Sequence, residues 1–599
     1  MRKLIKLCIA SLLILSWTPL QAAYFSFVPR TLTQPNGEVL NCFASGDEFY
    51  NWLHDAEGYT IIQNAETGYF VYAAMEKGQL IATNYIPSKD NPATKSGLRP
   101  WLKISQKEYL ARRHAMLDPA KRPVTRNENT NKGHMNNIAI FIRFADDTNF
   151  TNSFSDVNDM FNDTIEPYNS MYTYFKQASY NQLFIKTSFF PLPSGDLILS
   201  YQDSLTRDYY VPWSATDTNG YQTDSARASM EFKLLARAVA YVEDMIPVDL
   251  NLDYDDDGFV DNVCFVVRGD VGDWNVLLWP HRWSLYGEDA YIHGKRVWDF
   301  NFQLADAGYY FANSTLCHEM FHTLGAPDLY HYSDSTNQDP VGQWDLMCSN
   351  THPYPQQMLV YMKYKYGNWI TYDDIPELTQ YGRYQLRANG NELIDRLAYR
   401  VPTQNPFEFI IMEYRNKKML YDPTPQGGVI FYRVNPLLDG NANYNGDDIL
   451  DEVYLFRRNN TSAANFNQIH NAFNPTTIPY PAISNGDAVE VSFANFSSYL
   501  ASNPPEFMEF DYLYYVGLPE KEQFISVYPN PASQILTIHA DIASEKTVQV
   551  MDLSGRVVAE QKTADNQINM NISRLSAGCY FVKVTDADLN CFTTKFIKQ

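Results

Sequence analysis

The chain has 599 residues, 45% of them hydrophobic and 19% charged, a globular composition with room for several domains. Lys and Arg number 47 against 69 Asp and Glu, and the resulting charge of −22 excludes a general nucleic-acid binder, which needs stripes of Lys and Arg to displace counterions. Seven cysteines in so long a chain also exclude a disulfide-framed scaffold.

In chain order, Arg2, Lys3 and Lys6 precede an apolar run over 7–20 and the small-residue end Gln21-Ala22-Ala23. This pattern predicts a secretory signal peptide, 1–22, cut after Ala22. Cys8 lies inside the run and not at its end, which argues against a lipid anchor, and no other stretch is long and apolar enough to predict a transmembrane helix in the mature chain. Residues 23–133 read as an α+β propeptide and linker: short strands and turns, a helical stretch over 106–116, then a polar segment with Pro119, Pro123 and three Asn. Arg113, Arg122 and Arg126 offer cut points there.

Residues 134–375 change to an α/β texture. Strands are expected at 138–144, 183–190 and 262–267, an edge strand at 297–302, a helix over 170–178 capped by Ser170, and a long helix at about 225–242, where Phe232, Leu235, Val239 and Val242 recur at helical spacing. Residues 376–516 carry short strands separated by Gly, Asn and Pro turns, which predicts a β-sandwich, and 517–599 form a second, smaller β-domain.

The strongest chemical signal is His318-Glu319-Met320-Phe321-His322, followed by Gly325-Ala326-Pro327-Asp328. On a helix, residues four apart share a face, so both imidazoles can reach one zinc ion while Glu319 points toward its open side. Asn313 or Ser314 can cap that helix and Gly325 can end it. Catalytic zinc takes three protein ligands. Asp328 lies where the chain can turn back toward the metal; His331, Asp334 and a more distant acid are alternatives. Met347, in the run 342–349, is placed to form a turn beneath the zinc. Zinc activates a bound water and polarises a carbonyl, and Glu319 accepts the water's proton and passes it to the leaving amine, which makes peptide-bond hydrolysis the natural reaction. Tyr330, Tyr354 and His281 are candidates for stabilising the oxyanion.

A second constellation, Asp253, Asp255, Asp257, Gly258 and Asp261, matches the first part of a calcium loop, with Phe259 offering its backbone carbonyl. Cys264 stands where a regulatory loop would carry its twelfth-position Glu, so a structural Ca2+ is expected. Cys317 and Cys348 flank the metal motif as buried thiols or halves of bridges, and Cys42 could be a thiolate that blocks zinc in a precursor.

The His-Glu-x-x-His-x-x-Gly-x-Pro-Asp-x-Tyr pattern at 318–330, the acidic repeat at 253–261, Trp279-Pro280-His281, the later Trp-Asp-Leu-Met, Met412-Glu413-Tyr414-Arg415 and Gly427-Gly428-Val429-Ile430 together resemble the immune inhibitor A family of secreted metalloproteases, over about 130–515. The resemblance implies a metzincin-like zinc endopeptidase domain with Asp328 as third ligand, structural calcium, and protein or peptide substrates. The segment around Gly46-Asp47-Glu48-Phe49 is similar to the pre-catalytic region of related precursors, which implies a zymogen. The tail, with Tyr528-Pro529-Asn530-Pro531, Asp552-Leu553-Ser554-Gly555-Arg556 and a basic end at Lys595 and Lys598, resembles the type IX (Por) secretion sorting domain of Gram-negative bacteria. It implies handling by outer-membrane secretion machinery and a secreted or surface-attached product. The alternative from another class is an inactive, surface-binding or adhesive protein built on a peptidase-like domain.

Overall fold

The structure, a computed structural model, describes residues 25–46, 50–77, 79–105, 108–109, 111–112, 131–165, 169–215, 218–269, 280–305, 312–331, 340–348, 354–390, 392–419, 421, 427–441, 443–445, 448–457, 472–477, 479–500, 502–513, 525–540, 545–552, 556–585 and 591–599. The expected signal peptide and Arg113, Arg122, Arg126, Trp279 and Asp334 lie outside them. The protein is multidomain and mostly β-sheet, with few helices. It divides into two compact units, up to Leu513 and from Tyr514 onward.

The first unit begins with six antiparallel strands paired in chain order: β1 (Phe25–Thr33), β2 (Val39–Gly46), β3 (Asn51–His54), β4 (Thr60–Gln63), β5 (Phe70–Glu76) and β6 (Gln79–Ala82). Alternation along β2 turns Leu40, Cys42 and Ala44 inward.

A mixed sheet follows, built from β7 (Gly133–Arg143), β8 (Leu183–Phe190), β9 (Tyr201–Gln202), β11 (Val263–Val267), β12 (His281–Ser284) and β15 (Asp299–Leu304), in the order β12-β15-β11-β7-β8 with β9 beside β7. All pairings are parallel except β12 with β15. Helices pack on it: α1 (Phe154–Asn162), α2 (Met171–Ala178), α3 (Asp224–Val242) and α4 (Asn313–Thr323). Such cover explains why every residue of Val263-Cys264-Phe265-Val266-Val267 is buried. Ser170 caps α2 in a reciprocal box with Thr173, as its sequence predicts. The strand expected at the edge near 297–302 is interior: β15 lies between β11 and β12. Its alternate polar residues suggest a solvent face, but Asn301 is buried and turned toward α4. A small sheet, β10 (Phe259–Val260), β13 (Tyr291–Ile292) and β14 (Lys295–Val297), closes the acidic loop.

After the short helix α5 (Val360–Lys365) two sheets form a sandwich. One is β16 (Gly382–Arg387), β23 (Ser492–Ala494) and β24 (Phe507–Leu513); the other is β17 (Ala398–Pro402), β18 (Phe409–Arg415), β19 (Gly428–Val434) and β22 (Val453–Leu455). The pair β20 (Asn443–Asn445) and β21 (Asp448–Leu450) lies between β19 and β22 in the chain. Ile410, Met412 and Tyr414 of β18 enter the sandwich core with Phe493 and Phe510. Ile411 on the opposite face joins the core of the mixed-sheet region, together with Ile430 and Tyr432 of β19. The sandwich is therefore continuous with the elements before it.

The second unit contains a three-stranded sheet (residues 525–528, 535–540 and 567–571) and a four-stranded one (557–563, 546–551, 578–585 and 591–598). Leu536, Ile538, Val548, Val550, Val582 and Phe596 fill one shared core.

Candidate metal centre

Helix α4 is buried from Asn313 to Thr323 except at His322. Neither expected cap forms: Ala312 holds the N-cap position without a side-chain bond, and Asn313 Nδ2 donates to Asn169 O. Gly325, at φ +104°, ends the helix as expected, with Gly325 N donating to His322 O (2.9 Å) and Ala326 N to Phe321 O (3.0 Å).

The turn brings three of the sequence-predicted groups together. His318 Nε2 and His322 Nε2 lie 3.0 Å apart, and Asp328 Oδ1 lies 3.2 Å from each. His318 Nδ1 donates to Leu346 O (3.0 Å) and His322 Nδ1 to Ala326 O (2.7 Å), which fixes both rings with the Nε2 lone pairs facing inward. Two lone pairs and a carboxylate oxygen at this spacing repel one another unless a cation lies among them. Donors about 2.0 Å from a tetrahedral ion are roughly 3.3 Å from each other, so the set fits zinc. The charges agree. Burial disfavours a proton on His318, yet its bond to Asp328 and the charge of Glu319 outweigh this and raise its proton affinity. Burial likewise opposes ionisation of Asp328, but its charge interaction with His322 and its side-chain bonds to the two rings hold its carboxyl below the usual range. The cluster stabilises positive charge, for which protons and a metal compete.

Glu319 is 1% exposed, and its Oε1 has no hydrogen-bond partner among the described residues. Its backbone is held by a feature that sequence reasoning missed. Asn301 Nδ2 donates to Glu319 O (2.9 Å) and to Thr323 Oγ1 (3.3 Å). Asn262 Nδ2 donates to Asn301 Oδ1 (2.8 Å) and Asn137 Oδ1 (2.7 Å), while Asn137 Nδ2 donates to Thr187 Oγ1 (3.0 Å). This buried polar row runs from β8 through β7 and the residue just before β11 to β15 and on to α4. Its only sequence signal is polar residues at the head of apolar strand runs.

Met347 is fully buried, and its turn touches the centre through Leu346 O on His318 and Met347 O, which accepts from Leu329 N (2.8 Å). Asp345 anchors the turn, accepting from Met347 N (2.7 Å) and Leu359 N (2.6 Å). Burial pushes its carboxyl up to about 7 against those bonds and the nearby Arg415. Arg415 Nη1 donates to Trp344 O (2.7 Å), joining β18 to the same turn.

In the acidic loop Asp253, Asp255 and Asp257 offer carboxylate oxygens within 4.8 Å of one another. Asp253 accepts from Asp257 N (2.8 Å), Gly258 N (3.0 Å) and Lys295 Nζ (2.5 Å). Burial works against its ionisation, but the Lys295 bond and the two backbone bonds overcome it and lower its pKa. Asp261 turns to Tyr254 N (3.2 Å), and Phe259 N donates to Asp257 Oδ1 (2.9 Å).

The oxyanion candidates are placed differently from one another. His281 is buried, 2.8 Å from Glu231 Oε1 and stacked on Phe302. Tyr330 is buried and Tyr354 exposed. His331 pairs with Asp451 (2.5 Å) and is not in the donor cluster. Cys42, Cys264 and Cys317 are buried free thiols, and Cys348 is buried with its Sγ accepting from Gly342 N (3.1 Å). Burial pushes the Cys42 thiol up to about 12.

Comparison with known proteins bears on two segments. Residues 266–357 match the immune inhibitor A peptidase M6 catalytic domain, and 526–599 match the secretion system C-terminal sorting domain. An ulvan lyase of Nonlabens ulvanivorans is 38% identical over 74 residues, 12% of this chain, and the match spans 14% of that relative's length. Among solved structures, a Bacteroides vulgatus protein with an immunoglobulin-like β-sandwich fold is 22% identical over 13% of this chain and 85% of its own, with a TM-score of 0.12. PorZ, a surface component of the type IX secretion system of Porphyromonas gingivalis, is 12% identical over 32% of this chain and 37% of its own, with a TM-score of 0.13. No helix among the described residues is long and apolar enough to cross a membrane. The chain thus carries an immune inhibitor A peptidase M6 segment at 266–357 and, at 526–599, a type IX sorting domain that directs it to the cell surface or beyond.

Proposed function

We propose that the protein is a secreted zinc-dependent endopeptidase made as a precursor, with a metzincin-like catalytic domain at 134–375 and a propeptide and linker over 23–133. His318, His322 and Asp328 hold the zinc and Glu319 is the general base. The observation that carries this reading is the convergence of His318 Nε2, His322 Nε2 and Asp328 Oδ1 at 3.0–3.2 Å. Zinc held there supplies an activated water and a polarised scissile carbonyl. The chain does the rest. Leu346 O and Ala326 O aim the two rings, Asn301 fixes the backbone of Glu319, and Glu319 Oε1 takes a proton and delivers it to the leaving amine. The near-complete burial of His318 and Glu319 supports a precursor that must open before a protein or peptide substrate enters.

Asp253, Asp255 and Asp257, with Asp261 and the carbonyl of Phe259, serve in this reading as a structural calcium loop bracing the start of β11. The sorting domain engages outer-membrane secretion machinery, and nucleic acid is not a partner. A purely adhesive role is not favoured, since binding has no use for a buried carboxylate oxygen without a partner at a metal-type cluster. Casein hydrolysis by the matured protein tests the reading: it should stop with a zinc chelator, return with added zinc, and be absent in Glu319→Ala. Hydrolysis that survives chelation or the Glu319→Ala change would refute it.

A further inference from the structure

We propose that Asn441 and Gly440, on the connection between β19 and β22 of the sandwich, position Asp328 and so complete the metal centre. The inference rests on the reading of Asp328 as a zinc ligand. Asp328 lies beyond the end of α4, so the helix alone does not aim its carboxylate. The sandwich does: Asn441 N donates to Asp328 O (3.0 Å), and Asn441 Nδ2 donates to the next carbonyl, Leu329 O (2.9 Å).

Asn441 is fully buried and is itself fixed by β22. Its Nδ2 also donates to Val453 O (2.8 Å), and its Oδ1 accepts from Val453 N (3.0 Å). Gly440 packs directly beneath the ligand. At φ +77°, a Cβ on it would come 2.6 Å from Asp328 O and 2.9 Å from Pro327 Cβ, so the close approach requires glycine. Gly440 N donates to Glu452 Oε2 (2.6 Å). Glu452 is also buried and accepts from Tyr361 (2.7 Å), Lys365 (2.6 Å) and Tyr366 (2.6 Å) of the α5 segment. The connection is therefore braced by β22 on one side and α5 on the other while it holds Asp328. Groups that orient a metal ligand typically change metal affinity by about 10–100-fold when removed.

The test is the zinc dissociation constant of the full chain, by competition with a chromophoric chelator, together with the melting temperature. Asn441→Ala and Gly440→Ala should each weaken zinc binding roughly 10–100-fold. Asn441→Asp, which keeps the volume but loses the amide donor, is the second variant should Asn441→Ala fail to fold. Phe493→Leu, in the sandwich core, should lower the melting temperature and leave zinc affinity unchanged, which separates positioning from general destabilisation. Wild-type affinity in folded Asn441 and Gly440 variants, with Asp328→Ala strongly weakened, would overturn the positioning role alone. Wild-type affinity in Asp328→Ala would overturn the ligand assignment beneath it.

Discussion

Asn262 and Asn301 meet side chain to side chain, Nδ2 to Oδ1 at 2.8 Å, beneath the helix that carries both histidines. Asn301 then spends both amide protons on that helix, at Glu319 O and Thr323 Oγ1. Leaving such buried groups unsatisfied costs about 1–3 kcal/mol each. With Glu319 as the proposed general base, Asn301→Ala is expected to lower kcat several-fold with little change in KM, because it loosens the backbone of Glu319 and not the substrate-binding surface. Steady-state kinetics well below the melting temperature check this; unchanged kcat in a destabilised but folded variant would make the row purely structural.

Asp345 should impose a pH slope on stability. Burial raises its folded pKa to about 7 from an ordinary value of 3.8, so the folded state keeps a proton that the unfolded chain releases. The contribution is fully present below about pH 4 and is lost as pH rises to about 7. Asp345→Asn should flatten the stability profile across that window. Parallel denaturation profiles for the two proteins would contradict the assignment.

The acidic loop brings the carboxylates of Asp253, Asp255 and Asp257 together, with the Lys295 ammonium on Asp253. Added calcium should raise the melting temperature of the wild-type protein, and the double change Asp255→Asn with Asp257→Asn should abolish the response. Calorimetry with and without calcium decides, and a wild-type melting temperature that calcium does not move would remove the loop from the account.

Activation cleavage is expected within the 23–133 propeptide and linker but upstream of Asn131, so that the last linker residues stay with the mature chain. Asn131 Nδ2 donates to Leu324 O (2.9 Å) at the end of α4 and to Tyr366 O (2.8 Å), and Trp369 Nε1 donates to Asn131 O (2.7 Å). Cleavage beyond it would release the C-terminal end of α4. N-terminal sequencing of the secreted form checks this, and a first residue after Gly133 would contradict it.

What the sequence revealed was local. Ser170 announces its helix because cap and apolar period lie within nine residues, and His318 and His322, four apart, announce two imidazoles on one helix face for the same reason. Asp328 was legible because Gly325 ends the helix just before it. Long-range packing was not legible. Asn301 on β15 imitates a solvent-facing residue of an edge strand, but its face is turned to α4. Glu413 and Arg415 look like the wet side of a sandwich strand, yet Val360 N donates to Glu413 Oε2 (2.8 Å), and Arg415 reaches Trp344 O. His281 seemed free for catalysis because its partner Glu231 comes from α3, far away in sequence. Asn441 has no local signature, since its meaning depends on a carbonyl of a different region.

The central claim is that three donors grip one zinc while Glu319 only moves a proton. Elemental analysis of the purified, zinc-equilibrated protein tests it most directly, in the wild type, Glu319→Gln and His322→Ala. One zinc per chain is expected in the first two and a loss in the third. An empty wild-type protein, or a full complement in folded His322→Ala, would contradict the claim.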